Sequence, residues 1–138
     1  MEKYLIFMIK EKLYAVPSKF INAVDSLGKV FPLPLTPDYV RGIINWYSVP
    51  YALIDMSVML FNDTSDARKI IVLKEEVDKL AFLIDDVKDF ADIPSDKLFK
   101  IDNEEKSAIS AFFEWKDNHI FCLEIEEFID RIQKDFAE

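Results

Sequence analysis

The sequence predicts an all-β protein in which two similar small barrels are built from one chain. Three pairs of apolar, β-prone runs are each joined by a short polar turn, which is typical of β-hairpins. The runs lie at residues 4–9 and 13–16, 70–73 and 80–84, and 111–115 and 120–125. Several runs are apolar at successive positions, so we expect strands that are buried on both faces.

An internal repeat indicates that the two halves of the chain are related. A shift of 69 positions places Trp46 on Trp115 and residues 53–60 on residues 122–129, and a shift of 67 places Lys12 on Lys79. Each repeat has about 60 residues, a size that is marginal alone and gains stability from a shared interface.

The repeat leads us to expect one domain over residues 1–138 with two lobes, at about 4–60 and 69–129. An exchange of a strand between the lobes is an open alternative, because the sequence alone does not say which hairpin pairs with which.

The stretch at residues 42–56 predicts a further hairpin, with its turn at residues 46–49. That turn holds two large aromatic residues and no glycine. Trp46 falls on Trp115 in the repeat, which favours packing in the core. Tyr47 is expected to be exposed and to be available to a partner, because aromatic residues are enriched at binding hot spots.

Two helical segments are predicted. Thr36 followed by Pro37 is typical of an N-cap and first helical position, so we expect one short helical turn near residues 37–42. The apolar residues near the C-terminus recur at helical spacing and predict a helix at about 126–136 that packs on the body of the protein. They are Ile125, Phe128, Ile129, Ile132 and Phe136.

The composition argues against several classes of function. The net charge of −9 makes nucleic acid and anionic membranes poor partners. Two glycines rule out a glycine-rich phosphate loop, and the single histidine, His119, and single cysteine, Cys122, favour neither a metal site nor a disulfide. Adjacent carboxylates such as Asp85 and Asp86 are typical of a solvated turn. We therefore expect no catalytic residues, no cofactor and no metal.

The sequence shows no sign of a membrane location. The first apolar run, residues 4–9, is too short for the core of an export signal. No run approaches the roughly 20 apolar residues that a spanning helix needs. A cytoplasmic protein without direct membrane insertion is expected.

Four segments, in order, resemble the CheW-like domain family: residues 7–26, 33–60, 79–94 and 108–129. The second, LPLTPDYVRGIINWYSVPYALIDMSVML, is similar to the central signature of that family. The resemblance implies two five-stranded, SH3-like barrels packed together. It also implies a non-catalytic chemotaxis adaptor that couples chemoreceptors to a kinase. Its partners would be the regulatory domain of the CheA histidine kinase and the cytoplasmic tip of methyl-accepting chemoreceptors.

The chain departs from the family where the family usually has Asn-x-Arg-Gly. Asn45 matches, but Tyr47 and Ser48 stand at the arginine and glycine positions. Tyr47 cannot replace the forked, charged donor of arginine, and the loss of glycine leads us to expect a turn of different shape. The candidate partner-binding residues that the resemblance implies are Arg41, Asn45, Tyr47, Ser48, Asp85 and Val87.

Two other functions stay open at this point. A divergent CheW-like paralogue could act as a competitor or could serve another signalling complex, which the altered turn favours. A small β-barrel that binds nucleic acid is the alternative from another class. It would need a basic face with exposed aromatic residues, which the net charge of −9 opposes.

Overall fold

A computed structural model describes residues 1–101 and 108–137 of the chain. These residues form eleven strands, two α-helices and two short 3₁₀ turns, at Ser18–Phe20 and Ser95–Lys97. The strands are β1 (Glu2–Ile9), β2 (Lys12–Pro17), β3 (Ile21–Ser26), β4 (Val40–Trp46), β5 (Val49–Asp55), β6 (Lys69–Leu73), β7 (Leu80–Ile84), β8 (Asp86–Ile93), β9 (Phe99–Lys100), β10 (Ile109–Trp115) and β11 (Asn118–Leu123). The helices are α1 (Met56–Phe61) and α2 (Ile125–Ala137).

The strands form two sheets, and the predicted all-β class is confirmed. One has the order β8-β1-β2-β11-β10-β9, and the other has the order β3-β6-β7-β5-β4. The chain divides into two compact units: Met1–Lys19 together with Val87–Glu138, and Phe20–Asp86. We call these the terminal unit and the central unit.

The terminal unit is built on the six-stranded sheet. Its core contains Tyr4, Ile6, Ala15, Ile93, Ala111, Phe113, Ile120 and Cys122. The sixth strand, β9, was not predicted, because it has two residues and no apolar periodicity of its own. It joins the sheet through two residue pairs with β10, Ala111 with Lys100 and Phe112 with Phe99.

The central unit is built on the five-stranded sheet. Its core contains Ile44, Tyr51, Leu53, Ile70, Val72, Ala81 and Leu83, against which Leu27, Val30, Trp46, Val49 and Ala67 pack. The alternation along β5 is visible in the burial, since Tyr51 and Leu53 point inward.

The repeat is reproduced in the strand register. Each residue pair of the β4–β5 hairpin recurs 69 positions later in the β10–β11 hairpin, from Val40 with Ile54 and Ile109 with Leu123 to Trp46 with Val49 and Trp115 with Asn118. The same backbone hydrogen bond also recurs. Asp55 N donates to Tyr39 O, and Glu124 N donates to Ala108 O, both at 2.7 Å.

The first hairpins of the two repeats, β1–β2 and β6–β7, are related to each other by a slightly different shift. Tyr4 pairs with Pro17 and Ile70 pairs with Leu83, which is a shift of 66 positions. The shift of 67 inferred from Lys12 and Lys79 is therefore wrong by one residue. A single-residue error in a strand would turn its side chains to the opposite face.

The compact units differ from the predicted lobes at about 4–60 and 69–129, because the two repeats exchange their first hairpins. β2 pairs in parallel with β11, so the β1–β2 hairpin completes the sheet of the C-terminal strands. β7 pairs in parallel with β5, so the β6–β7 hairpin completes the sheet of β3, β4 and β5. The predicted ranges mark the repeat in sequence and not the folded units.

The helical segments differ in part from the prediction. Near residues 37–42 a single turn is closed by a hydrogen bond from Val40 N to Pro37 O at 3.0 Å, and β4 then begins at Val40. Helix α2 lies where its apolar stripe predicts, with Ile132 buried but Phe136 exposed at its end. Helix α1 was not predicted, because six residues are too few to establish a helical period.

Candidate partner-binding surface

The tip of the β4–β5 hairpin is a two-residue turn made by Tyr47 and Ser48, between the paired residues Trp46 and Val49. Tyr47 has φ 47° and Ser48 has φ 68°. Two consecutive positive φ angles are the signature of a type I′ turn, which is usually made by Asn-Gly. Both residues thus adopt positive φ angles without a glycine, and whether the turn differs in shape from that of the family stays a prediction.

The same conformation occurs at two other hairpin tips. Positive φ angles are found at Lys10 and Glu11, between β1 and β2, and at Lys116 and Asp117, between β10 and β11. In each case the strands are paired up to the residues that flank the turn. This pairing holds the turn residues in a conformation that costs of order 1 kcal/mol for a residue with a side chain.

The two aromatic residues of the tip have different surroundings. Trp46 is half-buried and packs against the core of the central unit. Tyr47 is 83% exposed, and its ring meets that of Trp46 edge-on at 4.8 Å between centroids. The indole therefore supports one edge of the tyrosine ring and leaves the rest of it, with the hydroxyl, available to a partner.

Asn45 lies beside this tip at the border of a small cleft. The side chain is exposed, and Asn45 is paired with Pro50 in the hairpin. The cleft has a volume of ≈180 Å³ and is lined by Asp25, Ser26, Gly28, Lys29, Ile44, Asn45, Trp46 and Ile70. A cleft of this size, lined by both polar and apolar residues, can hold one side chain of a partner.

Arg41 has a structural contact of its own. Its Nη1 donates to Oδ2 of Asp55 at 3.0 Å, and Asp55 is fully buried. The other carboxylate oxygen, Oδ1, accepts hydrogen bonds from the backbone N–H groups of Ser57 and Val58 and so caps helix α1. Arg41 therefore balances a buried charge, although 41% of its side chain is still accessible.

Asp85 lies away from the hairpin tip, within the central unit. β7 runs parallel to β5, with Leu83 paired to Asp55, so Asp85 lies near the end of the sheet that is opposite Tyr47. Val87 belongs to the terminal unit. Of the six predicted residues, the structure thus brings together Asn45, Tyr47 and Ser48, and it leaves Arg41 and Asp85 at the other end of the same sheet.

An exposed apolar segment beside β4 was missed by the sequence reasoning. Phe31, Leu33 and Leu35 are all exposed, and Phe31 exchanges two hydrogen bonds of 2.8 Å with Ile43. The backbone approaches so closely because Gly42 has no side chain: a Cβ there would lie 2.3 Å from the carbonyl oxygen of Phe31. The sequence FPLPL at residues 31–35, in which proline alternates with apolar residues, could have indicated this exposed segment.

The single cysteine of the chain is buried. Burial, and then the charge of Glu124, raises the pKa of Cys122 to about 12, so the thiol stays protonated at neutral pH. No cluster of His, Cys, Asp or Glu within residues 1–101 and 108–137 could hold a metal ion. In the same part of the chain, no helix has the length and apolar character needed to cross a bilayer.

Comparisons with known proteins agree on the fold. The family model of the CheW-like domain matches residues 3–133. Fifteen chains of solved structures also match. One is the crystal structure of the scaffolding protein TtCheW from Thermoanaerobacter tengcongensis, with a TM-score of 0.78 and 19% identity over 90% of this chain and 84% of that chain. A search of curated proteins gave no significant match.

Proposed function

Because this chain belongs to the CheW-like domain family, we propose that it is a non-catalytic chemotaxis adaptor that couples chemoreceptors to the CheA histidine kinase. The observation that carries the proposal is the family match over residues 3–133. The adaptor acts by binding alone and works in the cytoplasm, where the signalling ends of its partners lie.

The partners are the regulatory domain of CheA and the cytoplasmic tip of methyl-accepting chemoreceptors. The exposed apolar residues of the central unit support a protein partner, because an isolated cluster of apolar side chains costs free energy in water until it is covered. Tyr47 at the hairpin tip and Phe31, Leu33 and Leu35 beside β4 are such residues. Individual contacts of this size are weak, and a repeating assembly would strengthen them through multivalency.

The Tyr47–Ser48 tip gives the adaptor a partner preference of its own. A tyrosine offers a flat ring and one hydroxyl where the family usually offers a permanently charged, forked donor. A partner that presents a carboxylate to the tip would therefore bind less well, and a partner that presents an apolar or aromatic surface would bind better.

A second candidate function is favoured by the same observation. The chain would be a divergent paralogue that binds one partner of the signalling complex and not the other, and that competes with the usual adaptor. The altered tip favours this candidate because the substituted residues lie on one exposed turn.

Isothermal titration against the regulatory domain of CheA from the same organism tests the proposal. The native chain is compared with Tyr47→Arg/Ser48→Gly, and Lys116→Arg/Asp117→Gly at the β10–β11 turn serves as a matched control. Micromolar or tighter binding by the native chain supports the adaptor. Binding only after the Tyr47 substitution supports the divergent paralogue, and no binding by any form contradicts coupling to the kinase.

A further inference from the structure

A tryptophan precedes the two turn residues in each of two repeat-related hairpins, and its ring contacts the first of those residues. In the β4–β5 hairpin the rings of Trp46 and Tyr47 meet edge-on, with their centroids 4.8 Å apart and their planes at 85°. In the β10–β11 hairpin the ammonium of Lys116 lies 4.6 Å from the centroid of the Trp115 ring. Two different side chains therefore rest on a tryptophan at the same position of the repeat, which indicates that the hairpin geometry produces the contact.

Each tryptophan is itself held by the fold. Trp46 is the last residue of β4 and Trp115 is the last residue of β10, and both are half-buried. Trp46 packs against the core of the central unit, and Trp115 packs against the core of the terminal unit. An indole that is anchored in this way provides a fixed surface for the residue that follows it.

The backbone of the first turn is fixed as well. Trp46 pairs with Val49, and Tyr47 and Ser48 have φ angles of 47° and 68°. Turns of this type match the twist of the strands that they join, so the sheet holds the position of the Tyr47 Cα. The remaining freedom at the tip is the rotation of the tyrosine side chain.

Trp46 is the neighbour that limits this rotation. Tyr47 is 83% exposed, so the rest of the protein restrains its ring little. Among residues 1–101 and 108–137, Trp46 supplies the one aromatic ring that Tyr47 contacts. Edge-to-face pairs of this kind are favourable beyond the area that they bury, and the contact therefore selects one orientation of the tyrosine among its rotamers.

We propose that Trp46 is a positioning residue for partner binding, which holds the Tyr47 ring in the orientation that the partner meets. This inference rests on the proposed function and names the residue through which the Tyr47–Ser48 tip acts. Trp46 also lines the cleft of ≈180 Å³ beside the tip. The cleft and the tyrosine ring are therefore joined through one side chain, and a partner that covers both meets a surface that is arranged in advance.

The expected gain in affinity follows from the ordering that the partner no longer has to impose. Immobilising one flexible side chain at an interface weakens binding by a factor of roughly three to ten. Loss of the Trp46 ring should therefore weaken partner binding by about that factor, and only while Tyr47 is present.

A double-mutant cycle tests this dependence. Isothermal titration of the full chain with the regulatory domain of CheA compares native protein, Trp46→Leu, Tyr47→Ala and the double variant, well below the lowest melting temperature of the four. Trp46→Leu is expected to raise the Kd roughly threefold to tenfold in the native background. In the Tyr47→Ala background the same substitution should leave the Kd unchanged. Trp46→Phe keeps a ring at this position and should restore part of the affinity.

NMR of the tyrosine ring protons reports the positioning without a partner. The signals of Tyr47 are identified by their absence in Tyr47→Ala, and the nearby indole should displace them from the values of a free tyrosine. Trp46→Leu should return them to those values. Trp115→Leu is the matched control, because it removes the equivalent tryptophan of the other hairpin and should leave the Tyr47 signals in place.

Two results would overturn the proposal. One is an equal rise in Kd on Trp46→Leu with and without Tyr47, which a purely structural role would give. The other is a set of Tyr47 ring signals that do not move in Trp46→Leu. Absence of binding by the native chain would contradict the proposed function instead, and the ring signals would still decide whether Trp46 holds Tyr47.

Discussion

The carboxylate of Asp55 is fully buried at the end of β5, and three donors hold it there. Two are the backbone N–H groups of Ser57 and Val58, at 3.0 and 3.3 Å, and the third is Arg41 Nη1 at 3.0 Å. An aspartate in this position both caps a helix and needs a counter-charge. The residue therefore links the strand, the helix that follows it and the neighbouring strand β4.

Asp55→Ala is expected to lower the free energy of unfolding by about 2–4 kcal/mol, because the cap is lost and Arg41 loses its partner. Arg41→Ala should cost less, about 1–2 kcal/mol, since the carboxylate keeps its two backbone donors and water can reach the arginine position. Urea unfolding measures both. Asp25→Ala, at an exposed aspartate, is the control, and an Asp55→Ala variant as stable as this control would contradict the assignment.

The two glycines differ in whether the structure has room for a side chain. Gly42 has φ 142°, and a Cβ there would lie 2.3 Å from Phe31 O, whereas Gly28 has nothing within 4 Å of an added Cβ. Gly42→Ala should therefore destabilise the protein by more than about 2 kcal/mol and displace the segment that carries Phe31. Gly28→Ala should be neutral or slightly stabilising. Equal melting temperatures for the two variants would be incompatible with the close approach.

Some properties of single residues could be predicted and others could not. The exposure of Tyr47 and the packing of Trp46 follow from their residue types and from the repeat. The burial of Asp55 could not be foreseen, because its partner Arg41 precedes it by 14 positions and meets it only when β4 and β5 pair. Whether Arg41, Asn45, Tyr47, Ser48, Asp85 and Val87 bind a partner remains a prediction.

At the scale of the elements, the three two-residue hairpin turns show how strand pairing overrides local preference. Six turn residues with side chains adopt positive φ angles that glycine or asparagine would adopt at lower cost. The register of the flanking strands fixes the length of each turn at two residues, and the twist of the strands favours a type I′ or II′ turn at that length. The free-energy cost of the positive φ angles is offset by the strand pairing that holds each hairpin in the sheet.

Relieving this cost at one turn should separate stability from binding. Tyr47→Asn/Ser48→Gly is expected to raise the free energy of unfolding by about 1 kcal/mol. Lys116→Asn/Asp117→Gly should give a similar gain, because its φ angles have the same sign and similar size. Only the first variant should lose affinity for a partner that contacts the tip. A loss of stability in both variants would show that the native side chains stabilise the turns.

The elements that the sequence predicts are those with a clear period. Each hairpin and helix α2 has enough residues to show its alternation or its apolar stripe. Helix α1 and strand β9 have six and two residues, which are too few to show a period. Their formation depends on the Asp55 cap and on pairing with β10, which are tertiary features.

For the whole molecule, the exchange of first hairpins between the repeats is the feature that determines its architecture. The β1–β2 and β6–β7 hairpins are related by the same register, so either could pair with the strands of its own repeat or of the other one. Sequence similarity between repeats carries no information on this choice.

The core of the terminal unit should make the stability of the protein sensitive to alkaline pH. Burial, followed by the charge of Cys122, raises the pKa of Tyr4 from 10.0 to about 12, and that of Cys122 is raised from 9.0 to about 12. Both groups bind their proton more tightly in the folded state. Their contribution is therefore complete below pH 9 and is lost as the pH rises toward 12.

Tyr4→Phe should make this decline shallower, because one of the groups with a raised pKa is removed while the ring stays in the core. The slope of the unfolding free energy against pH between 9 and 12 is the quantity to compare. A native protein whose stability does not change over this range would contradict the raised pKa values.

The most direct test of the adaptor function is co-sedimentation of the CheA kinase with receptor-bearing membranes in the presence and absence of this chain. If the chain bridges the two, the kinase should pellet with the membranes only when the chain is added, and Tyr47→Arg/Ser48→Gly should change the amount recovered. If the same amount of kinase pellets with and without the chain, the chain does not couple the receptor to the kinase, and the proposed adaptor function is contradicted.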